Sequence, residues 1–103
     1  MQAPLARFTA DGATVRLYGE FDLATIDVLR RAVRAAQPDP VTGEIIIAMA
    51  GVTFIDSTGI AALLELMGDV EARGHRLCLH AIGPHVMRLL RLYRAPVQLA
   101  PAG

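Results

Sequence analysis

Ser57 is the only serine in the chain, and it stands inside the run Phe54-Ile55-Asp56-Ser57-Thr58-Gly59. A hydroxyl beside a carboxylate can serve as a nucleophile, as an acceptor of phosphate, or as a helix cap. Nucleophilic chemistry needs a base within reach of the hydroxyl and a third group to orient that base. An acid that directly precedes the hydroxyl does not supply this geometry, and the Gly-x-Ser-x-Gly elbow is missing. All ten basic residues are arginine. The lack of lysine excludes the usual phosphate-loop ATPase, a Schiff-base enzyme and a Ser-Lys hydrolase. The chain is therefore read as having no catalytic residues and as not being an enzyme. Ser57 remains as a cap or as a site of modification, and the two can coexist.

The other reactive side chains carry less. Asp22, in Glu20-Phe21-Asp22, is a second carboxylate and stands where a helix N-cap would. His75, His80 and His85 fall on a turn, a strand and a loop with no acid or cysteine at ligand spacing, so no metal site and no cofactor is expected. The single Cys78 rules out an internal disulfide and fits a reducing compartment. Arg88, Arg91 and Arg94 with His85 give the last helix a basic stripe, either a solvated face or a fit to an acidic partner patch.

Elements that could position these groups are legible along the chain. Residues 5–10 are strand-like, Asp11-Gly12 is a hairpin turn signal, and residues 13–19 resume with Val15 and Leu17 alternating against Thr14, Arg16 and Tyr18. Ile26, Leu29, Val33 and Ala36 recur at helical spacing, and Pro38, Pro40 and Gly43 end that helix. The apolar run at residues 45–49 does not alternate, which predicts a strand covered on both faces or along most of one. Residues 51–55 lead out of the sheet into the Asp-Ser-Thr-Gly segment. A helix follows with Ile60, Leu63, Leu64, Met67 and Val70 on one side, stopped at Gly74. Residues 76–82 form another strand. Gly83-Pro84 opens a last helix with Met87, Leu90 and Tyr93 inward, and residues 97–99 make a short edge strand. The order β-β-α-β-α-β-α-β predicts an α/β fold, a mixed sheet of four to five strands with three or more helices packed on it. Function is then expected at the carboxyl ends of the strands.

Composition bounds the partners. With 53% hydrophobic and 19% charged residues the 103-residue chain is globular and fits one domain. Ten basic and ten acidic residues leave a net charge of zero, which gives no basic excess for nucleic acid or an anionic membrane. The longest apolar run, residues 45–50, is far short of the roughly 20 residues of a membrane helix. The N-terminal residues do not read as a secretory signal, so a cytoplasmic location is expected.

The stretch from Gly51 to Leu64, with its strand before and amphipathic helix after, resembles the STAS domains, and most of all the bacterial anti-sigma factor antagonists. The likeness extends to Leu17-Tyr18-Gly19-Glu20-Phe21-Asp22, to the strand at residues 45–49, and to Ala81-Ile82-Gly83-Pro84 leading into Leu89-Leu90-Arg91-Leu92, so residues 1–103 are expected to form a single STAS domain. The resemblance implies a partner-switching protein that regulates transcription. Such antagonists bind an anti-sigma factor, a serine protein kinase of GHKL type, which phosphorylates them; a phosphatase reverses the change. Carried over by position, the phosphoacceptor is Ser57, with Thr58 the second choice, and Asp22, Asp56, Ser57, Thr58 and Gly59 form the partner-binding surface. STAS domains also serve as scaffold or accessory subunits of larger regulatory or transport assemblies. One departure stands out: the family often has an acidic or amide residue near the end of its central strand, where this chain has Ala48.

Overall fold

The computed structural model describes residues 6–93 and the backbone of 98–99. Its elements are β1 (Ala6–Asp11), β2 (Thr14–Phe21), α1 (Ile26–Ala35), β3 (Glu44–Ile55), α2 (Ser57–Ala72), β4 (Arg76–His80), α3 (Pro84–Leu92) and β5 (Gln98–Leu99). The sheet runs β1-β2-β3-β4-β5, antiparallel in its first pair and parallel in the rest. The mixed sheet with three helices bears out the α/β expectation. The hairpin turn lies one residue later than Asp11-Gly12 suggests: Asp11 pairs with Thr14, which leaves Gly12 and Ala13 as the two-residue loop, with Gly12 at φ 61°.

The helices cover one face of the sheet. Val15 and Leu17 of β2, Ile45, Ile47 and Met49 of β3, and Leu77 and Leu79 of β4 are buried under Leu29 and Val33 of α1 and Ile60, Leu63, Met67 and Val70 of α2, in one continuous core. Leu66 joins this core, while Leu64 packs at its margin. The apolar run of β3 does alternate in burial, since Ile46 and Ala48 are only half-buried on the other face. Of the two alternatives the sequence left open, cover along one face is the one observed. In α3 the inward residues are Val86 and Leu90, and Tyr93 is exposed. Of the proposed basic stripe, His85, Arg88 and Arg91 are exposed or nearly so, and Arg94 lies outside the described residues.

β3 is longer than the sequence suggests. It stays in the sheet through Ile55, where residues 51–55 were expected to leave it. Two register shifts against β2 absorb extra residues in β3: Arg16 pairs with Ala48 but Tyr18 with Gly51, and Gly19 pairs with Val52 but Glu20 with Phe54. Such bulges add twist and re-aim the strand beyond them. Gly51 is required there, because a Cβ would run into the Tyr18 ring and lie 2.8 Å from the Leu17 carbonyl oxygen.

Candidate functional site

The pairing of Glu20 with Phe54 and of Phe21 with Ile55 brings the carboxyl ends of β2 and β3 side by side. The two segments singled out in the sequence thus meet in space. The Asp56 amide donates to the Phe21 carbonyl oxygen at 3.2 Å, which stitches the start of the Asp-Ser-Thr-Gly segment to the end of β2.

Asp56, not Ser57, caps α2. Its side-chain Oδ1 accepts the Gly59 amide at 3.0 Å, and its carbonyl accepts the first helical bond from Ile60. Asp56 has extended backbone angles, as an N-cap residue should. With the cap supplied by the residue before it, Ser57 becomes the first helical residue and its side chain is exposed. Thr58 is half-buried and Gly59 buried. At Gly59 a Cβ would stand 2.8 Å from the Phe21 carbonyl oxygen and 2.6 Å from Ile55 Cγ1. The close approach that glycine permits here is to the neighbouring strand end within the chain.

Asp22 does not cap α1. The helix begins at Ile26 after Thr25, which makes no side-chain cap bond. Residues 22–25 instead form a turn of their own. The Thr25 amide donates to the Asp22 carbonyl at 3.1 Å, Asp22 Oδ1 accepts the Ala24 amide at 3.0 Å, and the Thr25 hydroxyl donates to the Glu20 carbonyl at 2.8 Å while accepting from the Asp22 amide. A carboxylate bound to the amide two residues on is the Asx-turn use of aspartate, which competes with capping. It fixes Asp22, half-buried, at the end of β2 next to the Asp56 loop.

Two residues not singled out in the sequence flank this acidic pair. Leu23 follows Asp22 and is 75% exposed, and Phe54 precedes Asp56 by two and is 41% exposed. The Phe54 ring stacks on His85 at the start of α3, with centroids 6.3 Å apart and planes 22° apart. The available signal was positional: Leu23 lies before the helical periodicity starts, and Phe54 neighbours the inward Ile55 on a strand.

The arrangement leaves Ser57 exposed at the first position of α2. Asp56 is occupied as a cap instead of orienting a base. Among the described residues no group of three His, Cys, Asp or Glu could hold a metal ion, and no helix is long and apolar enough to cross a membrane. Cys78 is buried, and burial pushes its thiol up, followed by the influence of the Glu44 carboxylate. Ala48 lies in mid-β3 on the face away from the helices, eight residues and roughly 25 Å of strand before Asp56, so its departure from the family pattern does not touch Ser57 directly.

Comparison with known proteins agrees with this geometry. An anti-sigma F factor antagonist of Lysinibacillus sphaericus is 28% identical over 91 residues, covering 88% of this chain and 78% of its own. The structure of the anti-sigma factor antagonist SpoIIAA in its unphosphorylated form superposes with a TM-score of 0.64 at 20% identity, covering 95% of this chain and 89% of that one. The structure of the Bacillus cell fate determinant SpoIIAA in the phosphorylated form superposes with a TM-score of 0.65 at 20% identity, covering 95% and 91%. A family model described as Mlab, STAS domain, matches residues 5–97, and with the motif, sheet order and loop pair above it shows that the chain belongs to the STAS domain family.

Proposed function

We propose that this protein is an anti-sigma factor antagonist that docks through the β2 and β3 loop ends and is switched off by phosphorylation of Ser57. The observation that carries the reading is the exposed Ser57 at the first position of α2, beside Asp56 and the Asp22 turn. Free amides and the positive dipole end favour an anion at such a position, so phosphate there leaves the helix standing. The docking surface feels the change instead. Phosphate adds about −1.5 to −2 charges at neutral pH next to two carboxylates. Burying that cluster against a partner costs several kcal/mol unless a cation is supplied, and each ~1.4 kcal/mol is tenfold in affinity. Leu23 and Phe54 supply the apolar contact that the unphosphorylated form offers, with Asp22, Asp56, Thr58 and Gly59 around them.

On this reading the partner is a serine-kinase anti-sigma factor of GHKL type, a phosphatase restores binding, and the protein works in the cytoplasm. Incubation with the cognate kinase and ATP is expected to add one phosphate, located at Ser57 by mass spectrometry. Phosphate confined to any other residue overturns the site. Stoichiometric recovery from lysate with a transport or scaffold assembly, indifferent to ATP, would instead favour the accessory-subunit role.

A further inference from the structure

The face of the sheet away from the helices carries a groove of about 600 Å³, within the range of small-molecule sites. Its floor is apolar and shallow: Ile46, Ala48, Ala50 and Gly51 of β3. The register places Arg16, Ala48 and His80 in one row across β2, β3 and β4. Strands lie ~4.8 Å apart, so the Cα atoms of Arg16 and His80 are about 10 Å apart across the Ala48 methyl. An extended guanidinium and an imidazole at that spacing can both reach an anion seated over Ala48, where a longer side chain would stand in the way.

The next row supplies a wall. Tyr18 lines the groove, Arg7 stacks over its ring at 4.1 Å, and Gly51 leaves space for the ring against β3. The ionisable residues that line the groove are Arg16 and His80, with no acid among the lining. By register three acids share this face: Asp11 and Glu44 stand toward the hairpin end, with Glu44 matched by Arg76 at 2.6 Å, and Glu20 stands beyond Tyr18 at the other end of β2, outside the lining. Among the described residues Arg16 has no carboxylate partner. The lining of the groove itself thus carries one arginine without a matching acid, over an apolar trough.

We infer that this groove binds a small organic anion with a flat apolar body, its carboxylate or sulfonate held between Arg16 and His80 over Ala48 and its body lying along Ile46 and Ala50 against Tyr18. The site is separate from Ser57, shares none of its loops, and stands whether or not the partner-switching reading does.

The probe is 8-anilinonaphthalene-1-sulfonate, titrated by fluorescence into the folded protein and mapped by amide chemical shifts, with neutral N-phenyl-1-naphthylamine as its uncharged counterpart. Expected are saturable one-to-one binding of the sulfonate, shifts centred on Arg16, Ala48 and His80, and affinity at least tenfold above that of the neutral probe. Arg16→Gln, at an exposed position, is expected to weaken the sulfonate at least tenfold and leave the neutral probe unchanged. Ala48→Leu is expected to abolish both. If Ala48→Leu fails to fold, Arg16→Gln and the shift map decide. Shifts centred on other surfaces, or a sulfonate affinity unmoved by Arg16→Gln, overturn the inference. So does displacement of the probe by a glutamate-rich peptide at lower concentration than by naphthalene-1-sulfonate, which would assign the groove to a protein partner.

Discussion

Asp56 and Gly59 close the first turn of α2 between them: the carboxylate of one holds the amide of the other at 3.0 Å. That bond frees Ser57, the residue after the cap, from capping. Ser57 is thus held by a helix it does not help to start, with its hydroxyl outward.

Removing the cap has a measurable cost. Asp56→Ala is expected to lower stability by about 1 kcal/mol, within the ~0.5–2 kcal/mol range for lost N-caps, and to lower Tm by roughly 4–8 °C for a domain of this size. Asp56→Asn, which keeps an oxygen acceptor, should recover most of the loss. Thermal unfolding followed by circular dichroism reads both, and an unchanged Asp56→Ala midpoint would show that the cap contributes nothing.

Gly59→Ala tests the fit of α2 against the strand ends. The added methyl would meet the Phe21 carbonyl oxygen and the Ile55 side chain, both buried. Overpacking of this kind costs about 1–3 kcal/mol, even though alanine is the better helix former by up to ~1 kcal/mol. The clash wins, and chemical denaturation should show a net loss. A more stable Gly59→Ala variant would mean that β2 and α2 can move apart freely.

Ser57→Asp separates interface from fold. The new carboxylate sits at the first position of α2, where negative charge suits the helix dipole. Stability is expected to stay within about 0.5 kcal/mol of the parent, while affinity for the proposed anti-sigma partner falls at least tenfold in calorimetric titration. A variant that melts early, or that binds as well as the parent, contradicts the switch.

Asp39 sets a pH-dependent element in the loop between α1 and β3. The amides of Thr42 and Val41 donate to its carboxylate and hold its pKa below the usual carboxylate range. A pKa depressed in the folded state contributes stability above the unfolded value of about 3.9 and loses it as pH falls through the folded value. The stability difference between the parent and Asp39→Ala is therefore expected to be constant near neutrality and to shrink below about pH 4. A difference that grows on acidification would reverse the sign of this linkage.

The element order and the mixed sheet were legible because each rests on local pattern: alternation in β2, helical spacing in α1 and α2, and a compact motif between strand and helix; that the two acidic loops share one surface came from the STAS resemblance. Three features were not. Asp22 reads as a cap by residue type, but Thr25 captures the backbone of residues 20–22 and delays the helix by one turn. The full length of β3 depends on bulges against β2, and register across strands is a tertiary property that no single segment encodes. The uncovered sheet face was hidden because Ile46 and Ala48 are as apolar as their buried neighbours. Residue type alone does not separate half-buried from buried when no helix among the described residues covers the opposite face.

One-sided cover has a lasting consequence for β2 and β3. Neighbouring positions along each strand answer to different masters at a pitch of one residue: Val15, Leu17, Ile45 and Ile47 to the core, Thr14, Arg16, Ile46 and Ala48 to the outer world. The second set can be rewritten by mutation while the first stays fixed, so this fold can drift in what it recognises on that side without relearning how to fold.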